Sequence, residues 1–353
     1  MFLVVQTAFL GDMVLTTPLL ERLAERGPVD VVATPANALL LANHRAVRDV
    51  IVYDKRGTHR GWSGLRAVAS LIRTRSHETS QGTSRAPRNA QVAYMAQGSM
   101  RSATLVRMAG ISRIVGFDTS AGRWLYTERV SYDTAVHHAA RLLTLAGLYD
   151  SSSALPRPSL YPDANDDAAV DALLTRAGVD AATDLIVLAP GSVWATKRWP
   201  GYDRLAELLT AANAGARIVV IGADADRPLA QAIGAAVRSS GHPDIIDATG
   251  KLSLLGTAAL MRRATIVVTN DSAPLHLASA MNLPTLALFG PTVTAFGFGP
   301  LAERRSVAQH ETLPCRPCDT HGPKECPLGH WRCMRQVEPE RVARLAVELM
   351  SNS

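Results

Sequence analysis

Asp271, Ser272 and His276 stand in the stretch T-I-V-V-T-N-D-S-A-P-L-H-L-A (265–278), at the point where an apolar run gives way to helical spacing. Ile266, Val267 and Val268 read as a strand buried on both faces, and Leu275, Leu277, Ala278 and Met281 continue along a helix whose first turn holds Pro274. A helix entered this way presents unpaired N–H groups and the positive end of its dipole, which together attract a phosphate or diphosphate. The same residues also describe an ordinary helix capped by Asp or Ser, so their meaning depends on their company.

That company is a set of turns at equivalent places. L-G-D (10–12) follows the first apolar run of the chain, A-P-G-S (189–192) follows another, with T-K-R-W-P (196–200) just beyond, and G-A-D-A-D-R (222–227) follows a third. All fall at carboxyl ends of predicted strands, the edge at which open α/β sheets bind ligands. Lys197 would be an exposed surface lysine by default, but Gly191, Ser192, Trp199 and Pro200 around it argue for a fixed loop. Asp224 and Asp226 form a carboxylate pair of a kind that suits hard cations.

The cysteines lie together in C-R-P-C-D-T-H-G-P-K-E-C-P-L-G-H-W-R-C (315–333), with His321 and His330 among them. Cys315 and Cys318 have knuckle spacing, whereas Cys326 and Cys333 are wider apart than a zinc ribbon expects. Zinc, an iron–sulfur centre and reduced thiols are all consistent with this pattern; a cytoplasmic location argues against disulfides.

The elements that must position these residues alternate. Strands are expected at 2–5, 29–33, 49–53, 90–94 and 113–116, with helices following the first turn to about residue 26 and near 35–43, 65–73 and 102–109. Residues 74–89, rich in Ser, Thr, Arg and Gly, read as a mobile loop. Alternation pauses at 155–167, a Pro- and Asp-rich linker. It resumes with strands at 185–189, 217–221, 244–247, 265–269 and 285–289, helices at 202–212, 227–239 and 254–263, and a final helix at 338–350. The expected organisation is a first Rossmann-like domain over 1–160, a second over 161–335 that includes the cysteine segment, and a C-terminal helix over 336–353.

At 353 residues the chain is long enough for two cores, and its abundant Ala, Val and Leu with few aromatics suit α/β layers. Its apolar runs are strand-sized, too short to span a bilayer, and the start M-F-L-V-V-Q-T lacks the basic region of a signal peptide; the expected location is the cytoplasm. Charge is uneven: residues 1–160 carry 19 Lys+Arg against 11 Asp+Glu, the remainder 18 against 20. A basic first half suits an anionic partner, although solvated faces alone would give the same sum. No groove-reading basic helix or ribonucleoprotein signature is present, so no nucleic-acid partner is expected.

Taken together, Q-T-A-F-L-G-D-M-V-L-T-T-P-L-L, Q-G-S-M-R-S-A-T-L-V-R-M-A-G, L-A-P-G-S-V-W-A-T-K-R-W-P, N-D-S-A-P-L-H-L-A and L-F-G-P-T resemble glycosyltransferase family 9 over nearly the whole chain. These are the ADP-heptose:lipopolysaccharide heptosyltransferases. The resemblance implies the α/β GT-B fold, two Rossmann-like domains facing a cleft. It implies inverting transfer of heptose from ADP-heptose to the inner core on lipid A, with no cofactor required. It further implies a monomer working at the inner face of the plasma membrane on an anionic glycolipid.

Site residues follow from the same resemblance. Asp12, beside Gly11, matches the family's L-G-D motif and is the candidate base, with a helix N-cap carboxylate as its alternative. Lys197 is the candidate counter-charge to the departing diphosphate. Gly191, Ser192, Thr196, Ser272 and Ala273 would hold the diphosphate; many family members carry Gly where Ala273 stands. Asp271 would orient donor hydroxyls or bond backbone amides, His276 is either a ligand or a core histidine, and Asp226 is placed like the acid used on the ribose or is a solvated loop carboxylate. Lys55, Arg56, Arg60, Gly98 and Arg101 are candidates for the acceptor. A metal at Asp224 and Asp226 is not expected, because members of this fold stabilise the leaving group with helix dipoles and basic side chains. Three rivals remain: a family 9 enzyme with another sugar or acceptor, a nucleotide-sugar epimerase on the same fold, and a non-catalytic binding protein built around the cysteine segment.

Overall fold

The computed structural model describes residues 1–81, 91–152, 154–180 and 182–351, with 76–81 described as backbone only. The chain divides into two compact units, Met1–Tyr161 and Pro162–Ser353.

In the first unit, β1 (Phe2–Gln6), α1 (Leu10–Ala24), β2 (Val29–Ala33), α2 (Pro35–Leu40), β3 (Asp49–Val52), α3 (Gly61–Gln81), β4 (Val92–Met95), α4 (Met100–Met108), β5 (Arg113–Phe117), β6 (Glu128–Val130) and α5 (His138–Thr144) follow one another. The second contains α6 (Ala164–Arg176), β7 (Leu185–Ala189), α7 (Tyr202–Ala212), β8 (Arg217–Val220), α8 (Arg227–Ser239), β9 (Ile246–Asp247), α9 (Leu254–Arg262), β10 (Ile266–Asn270), α10 (Ala273–Ala280), β11 (Thr285–Phe289), β12 (Arg305–Gln309), α11 (Arg332–Arg335) and α12 (Pro339–Ser351). The sheets run β3-β2-β1-β4-β5-β6 and β12-β11-β10-β7-β8-β9, all pairs parallel. Counted within each unit, both have the same Rossmann order, 3-2-1-4-5-6.

The β-branched runs explain the central strands. Every residue of β2, β7, β10 and β11 is buried, as a parallel sheet covered on both faces requires. Helices start where short polar side chains take up orphan N–H groups: Thr34 accepts from Asn37 N–H before Pro35, Ser99 from Ser102, Ser253 from Gly256, and Asp163 and Asp166 form a reciprocal capping box. The core of the second unit gathers Ile186, Leu188, Trp199, Tyr202, Val268 and Met334. In the first unit Leu3, Val5, Tyr53, Met95 and Leu105 belong to one core cluster.

Register places the ligand edge. Thr269 pairs with Ala189, so Asn270 and Pro190 leave their strands side by side. Val5 pairs with Met95, so the chains after β1 and β4 emerge together. Each unit thus has a switch point, between β1 and β4 and between β7 and β10, where neighbouring strands feed connections of opposite direction.

Three expectations change. The loop placed at 74–89 is helix as far as Gln81: no Gly or Pro interrupts S-H-E-T-S-Q, and Arg75 pairs with Asp49; its remainder, 82–89, lies outside the described residues, as does Ala90 of the expected fourth strand. The linker at 155–167 ends early, because the Asp163 capping box starts α6 at Ala164. Strands β6 and β12 and helices α5, α6 and α11 fall outside the expected elements. The final helix, α12, packs against α7 and β10–β12 of the second unit.

Candidate functional site

Around the switch point of the second unit, Lys197 Nζ lies 2.6 Å from Asp271 Oδ2, and Thr292 Oγ1 donates to that same oxygen at 2.6 Å. Both charged residues are buried, Lys197 8% and Asp271 7% exposed, so the pair works at reduced dielectric and each charge depends on the other. Lys197 closes a 3-10 turn, Ala195–Lys197, on the connection after β7, and Asp271 directly follows β10.

Asn270, fully buried, fastens the two connections. Its Nδ2 donates to Pro190 O at 2.8 Å, while its Oδ1 accepts from Trp199 N–H and from the Tyr202 hydroxyl. Complete burial in turn pushes the Tyr202 phenol well above its usual range, keeping it a neutral donor. The Thr196 hydroxyl donates to Pro323 O, and Ser192 Oγ accepts from Trp194 N–H.

Ser272 is the extended N-cap of α10 but makes no side-chain cap bond, and Ala273 and Pro274 form the first turn. The N–H end of that helix is therefore not closed by Ser272 Oγ, which instead lies 3.4 Å from Asn270 O. His276 is buried, edge-on to Phe298, so it occupies the core side of the first turn. Asp226 is half-buried: its carboxylate accepts from Ala223 N–H and lies over both Gly191 and Gly222, where an added Cβ would approach it to 2.5 and 2.8 Å. It braces the glycine connection that carries Gly191 and Ser192.

In the first unit Gly11 lies inside the first turn of α1 rather than in a turn before it, because the helix begins at Leu10. Asp12 is at the third helical position; Oδ2 accepts from Phe9 N–H at 3.3 Å, so its capping role is real. Oδ1 faces Nε2 of buried His138, 3.6 Å away at the start of α5. Each carboxylate oxygen thus faces a named group, Oδ2 the Phe9 N–H and Oδ1 the His138 ring.

The acceptor candidates separate into two kinds. Lys55 Nζ donates to Thr7 O at 2.8 Å, and burial, then the Arg56 and Arg101 charges, lower its pKa. Arg101 donates to the carbonyls of Lys55, His59 and Gly61 and lies over the Tyr53 ring, so it shapes the 55–61 connection. Arg56 and Arg60 are exposed. Gly98 sits against Ser120, 3.3 Å from where its Cβ would be. A cavity of 490 Å³ opens here, lined by Phe9, Tyr53, Lys55, Arg56 and Gln97 among others; Arg60, Gly98 and Arg101 are outside its lining.

The four cysteines form no disulfide with one another and line a second cavity of 250 Å³ together with His330. Among the described residues no group of three His, Cys, Asp or Glu side chains is arranged to hold a metal ion. The segment is fastened by Arg316, whose guanidinium donates to the carbonyls of Phe289, Gly290, Thr292 and His310 and to Gln309 Oε1. Burial lowers the Arg316 pKa. Burial, with the neighbouring thiols, pushes the Cys333 thiol up to about 11, whereas at Cys326 the N–H groups of Trp331, Leu328, His330 and Gly329 outweigh desolvation and lower it.

Sequence reasoning missed Asn270, Thr292, Arg316 and His138. The first two lie within N-D-S-A-P-L-H and L-F-G-P-T, where a signal existed; Arg316 lay within the cysteine segment. His138 is brought to Asp12 by the packing of α5 on α1, which no local pattern announces.

Residues 85–331 match the family model described as glycosyltransferase family 9 (heptosyltransferase). Lipopolysaccharide heptosyltransferase 1 of Pseudomonas aeruginosa is 29% identical over 368 aligned positions, covering 97% of this chain and 95% of that protein. Among solved structures, a family 9 glycosyl transferase from Veillonella parvula superposes with a TM-score of 0.83 at 22% identity, over 100% of this chain and 97% of that one. ADP-heptose LPS heptosyltransferase II of E. coli superposes with a TM-score of 0.77 at 22% identity, over 99% and 98%. The shared fold is the two-sheet GT-B arrangement.

Proposed function

Because this chain belongs to glycosyltransferase family 9, we propose that it moves heptose from ADP-heptose onto the inner core of a lipopolysaccharide. One observation carries the reading: the buried Lys197–Asp271 pair at the switch point between β7 and β10, beside the glycine connection and the N–H end of α10. Lys197 and the helix terminus supply positive charge where a departing diphosphate gains negative charge, and Asp271 sets where the ammonium points. A donor phosphate would compete with Asp271 for Lys197.

Asp12 acts as the base. Its carboxylate takes the proton of the acceptor hydroxyl while that oxygen bonds the anomeric carbon; the bond from that carbon to the diphosphate oxygen breaks, and its electron pair leaves with ADP. Attack from the face opposite the leaving group inverts the anomeric centre. Lys55 and Arg56, on the basic cavity of the first unit, meet the anionic glycolipid. The reaction needs no cofactor, and the enzyme works as a monomer at the cytoplasmic face of the membrane that holds its acceptor.

The test is ADP release from ADP-heptose by purified protein, with and without a core acceptor, against a panel of other nucleotide sugars and with a chelator present. Acceptor-dependent release from ADP-heptose alone, insensitive to chelator, is expected. The Asp12→Asn variant should keep donor affinity and lose about 10²–10⁴ in turnover. Near-normal turnover would remove Asp12 from the base role, and preference for another donor would reassign the sugar.

A further inference from the structure

We infer that the carboxyl edge of the first unit's sheet seats on an anionic bilayer through Trp62, Met100 and Trp124. Three places on this edge carry them: 55–60 with the first turn of α3, which holds Trp62, the start of α4, and the 3-10 turn Arg123–Leu125 after β5. Their side chains are unusually exposed for their type, Trp62 at 68%, Trp124 at 69% and Met100 at 45%. Among the described residues, seven of the nine large apolar side chains left exposed belong to the first unit.

The three places are tied into one surface. Arg101, next to Met100, donates to the carbonyls of His59 and Gly61, which fixes the segment that ends in Trp62. Gly122 packs so tightly on the start of α4 that its Cβ would lie 2.6 Å from Ala103 Cβ and 3.3 Å from Ser99 O, which fixes the turn that carries Trp124. The apolar side chains therefore stand on a common rigid base.

Charge selects the occupant. Segments 55–62, 99–104 and 120–129 hold six basic residues, Lys55, Arg56, Arg60, Arg101, Arg123 and Arg129, and one acid, Glu128, which is already paired with Arg113. Tryptophan amid arginine is the composition that settles at a headgroup boundary, with the indole among the first carbons and the guanidinium at the phosphates. A sugar-stacking role fits Trp124 less well, because Arg123 and Arg129 lie over its ring, 5.0 and 5.4 Å from the centroid. No helix among the described residues is long and apolar enough to cross a membrane.

This inference rests on the glycolipid reading for its purpose only, and its test is separable. The full chain and the Trp62→Ser/Trp124→Ser double variant are sedimented with vesicles of phosphatidylglycerol and phosphatidylethanolamine, and with neutral phosphatidylcholine vesicles. Wild type should bind the anionic vesicles, less at high salt, and the double variant should bind about tenfold more weakly with an unchanged melting temperature. Equal binding by the variant, equal binding to neutral vesicles, or no binding to either would overturn the inference. In a second arm, transfer to a deacylated, water-soluble acceptor should be equal in both proteins, while transfer to a vesicle-embedded acceptor falls in the variant. Loss on the soluble acceptor would make these residues an acceptor subsite and defeat the bilayer assignment. Absence of transfer by wild type would sink the proposed reaction and leave the vesicle result to decide this one.

Discussion

Asp271 Oδ2 receives Lys197 Nζ and Thr292 Oγ1 at the same distance, 2.6 Å, joining the ends of three strands of the second sheet at a single carboxylate oxygen. Removing one charge strands the other in a buried place. Asp271→Asn should cost about 3–5 kcal/mol of stability and weaken ADP binding, because Lys197 loses both its counter-ion and its aim. Lys197→Met should also weaken ADP binding. Urea denaturation with calorimetric ADP titration checks both, and unchanged ADP affinity in both variants would place the diphosphate elsewhere.

Gly191→Ala puts a methyl group 2.5 Å from Asp226 Oδ2. A loss of about 1–3 kcal/mol is expected, with weaker donor binding, since the carboxylate or the glycine connection must move. Adding Asp226→Ala should recover part of the stability, giving a coupling of about 0.5–3 kcal/mol in a double-mutant cycle. Strictly additive losses would show that the two residues do not press on each other in solution.

The thiols should react in a set order. Cys326, with its pKa lowered by four backbone N–H groups, should be alkylated first near neutral pH. Buried Cys333, raised to about 11, should be last and should accelerate as pH rises. Time-resolved iodoacetamide labelling read by mass spectrometry measures this. Protection of all four until a chelator is added would instead show that a bound metal holds them.

Acid should destabilise the first unit partly through His44. Burial, opposed by Glu21, depresses its folded pKa, and its ring contacts Ser159 and Tyr161. The unfolded chain then binds the extra proton, so the contribution is intact above the ordinary histidine pKa of about 6.5 and is lost as pH falls below it. Urea midpoints compared at about pH 7.5 and about pH 5.5 should converge in His44→Gln relative to wild type. An unchanged difference would assign the acid sensitivity to other groups.

Much of this architecture was legible because central parallel strands announce themselves as short apolar runs ended by Gly, Pro or Asp. The runs before Asp12, Gly191, Gly222 and Asp271 all became strands with their polar residues at the carboxyl edge. Two of the four edge strands gave no such signal: β6 is E-R-V, largely exposed, and β12 is R-S-V-A-Q, mostly half-buried with Ala308 covered, as polar edges that avoid further pairing tend to be. The polar composition of 74–81 is that of a loop, yet nothing in it breaks a helix. The Lys197–Asp271 contact was only half readable. Each residue was visible in its own motif, but their meeting depends on β7 and β10 becoming neighbours, which is a property of strand order.

The guanidinium of Arg316 gives the ligand edge a hidden dependence. It gathers the backbone oxygens of Phe289, Gly290 and Thr292 from the end of β11, and Thr292 is the residue that steadies Asp271. A lysine could reach that spot with charge but not with a planar fork, leaving carbonyls without donors. The cysteine segment is thus anchored where the second unit would greet its nucleotide, so damage to that remote-looking stretch would be felt as a blunted grip on substrate.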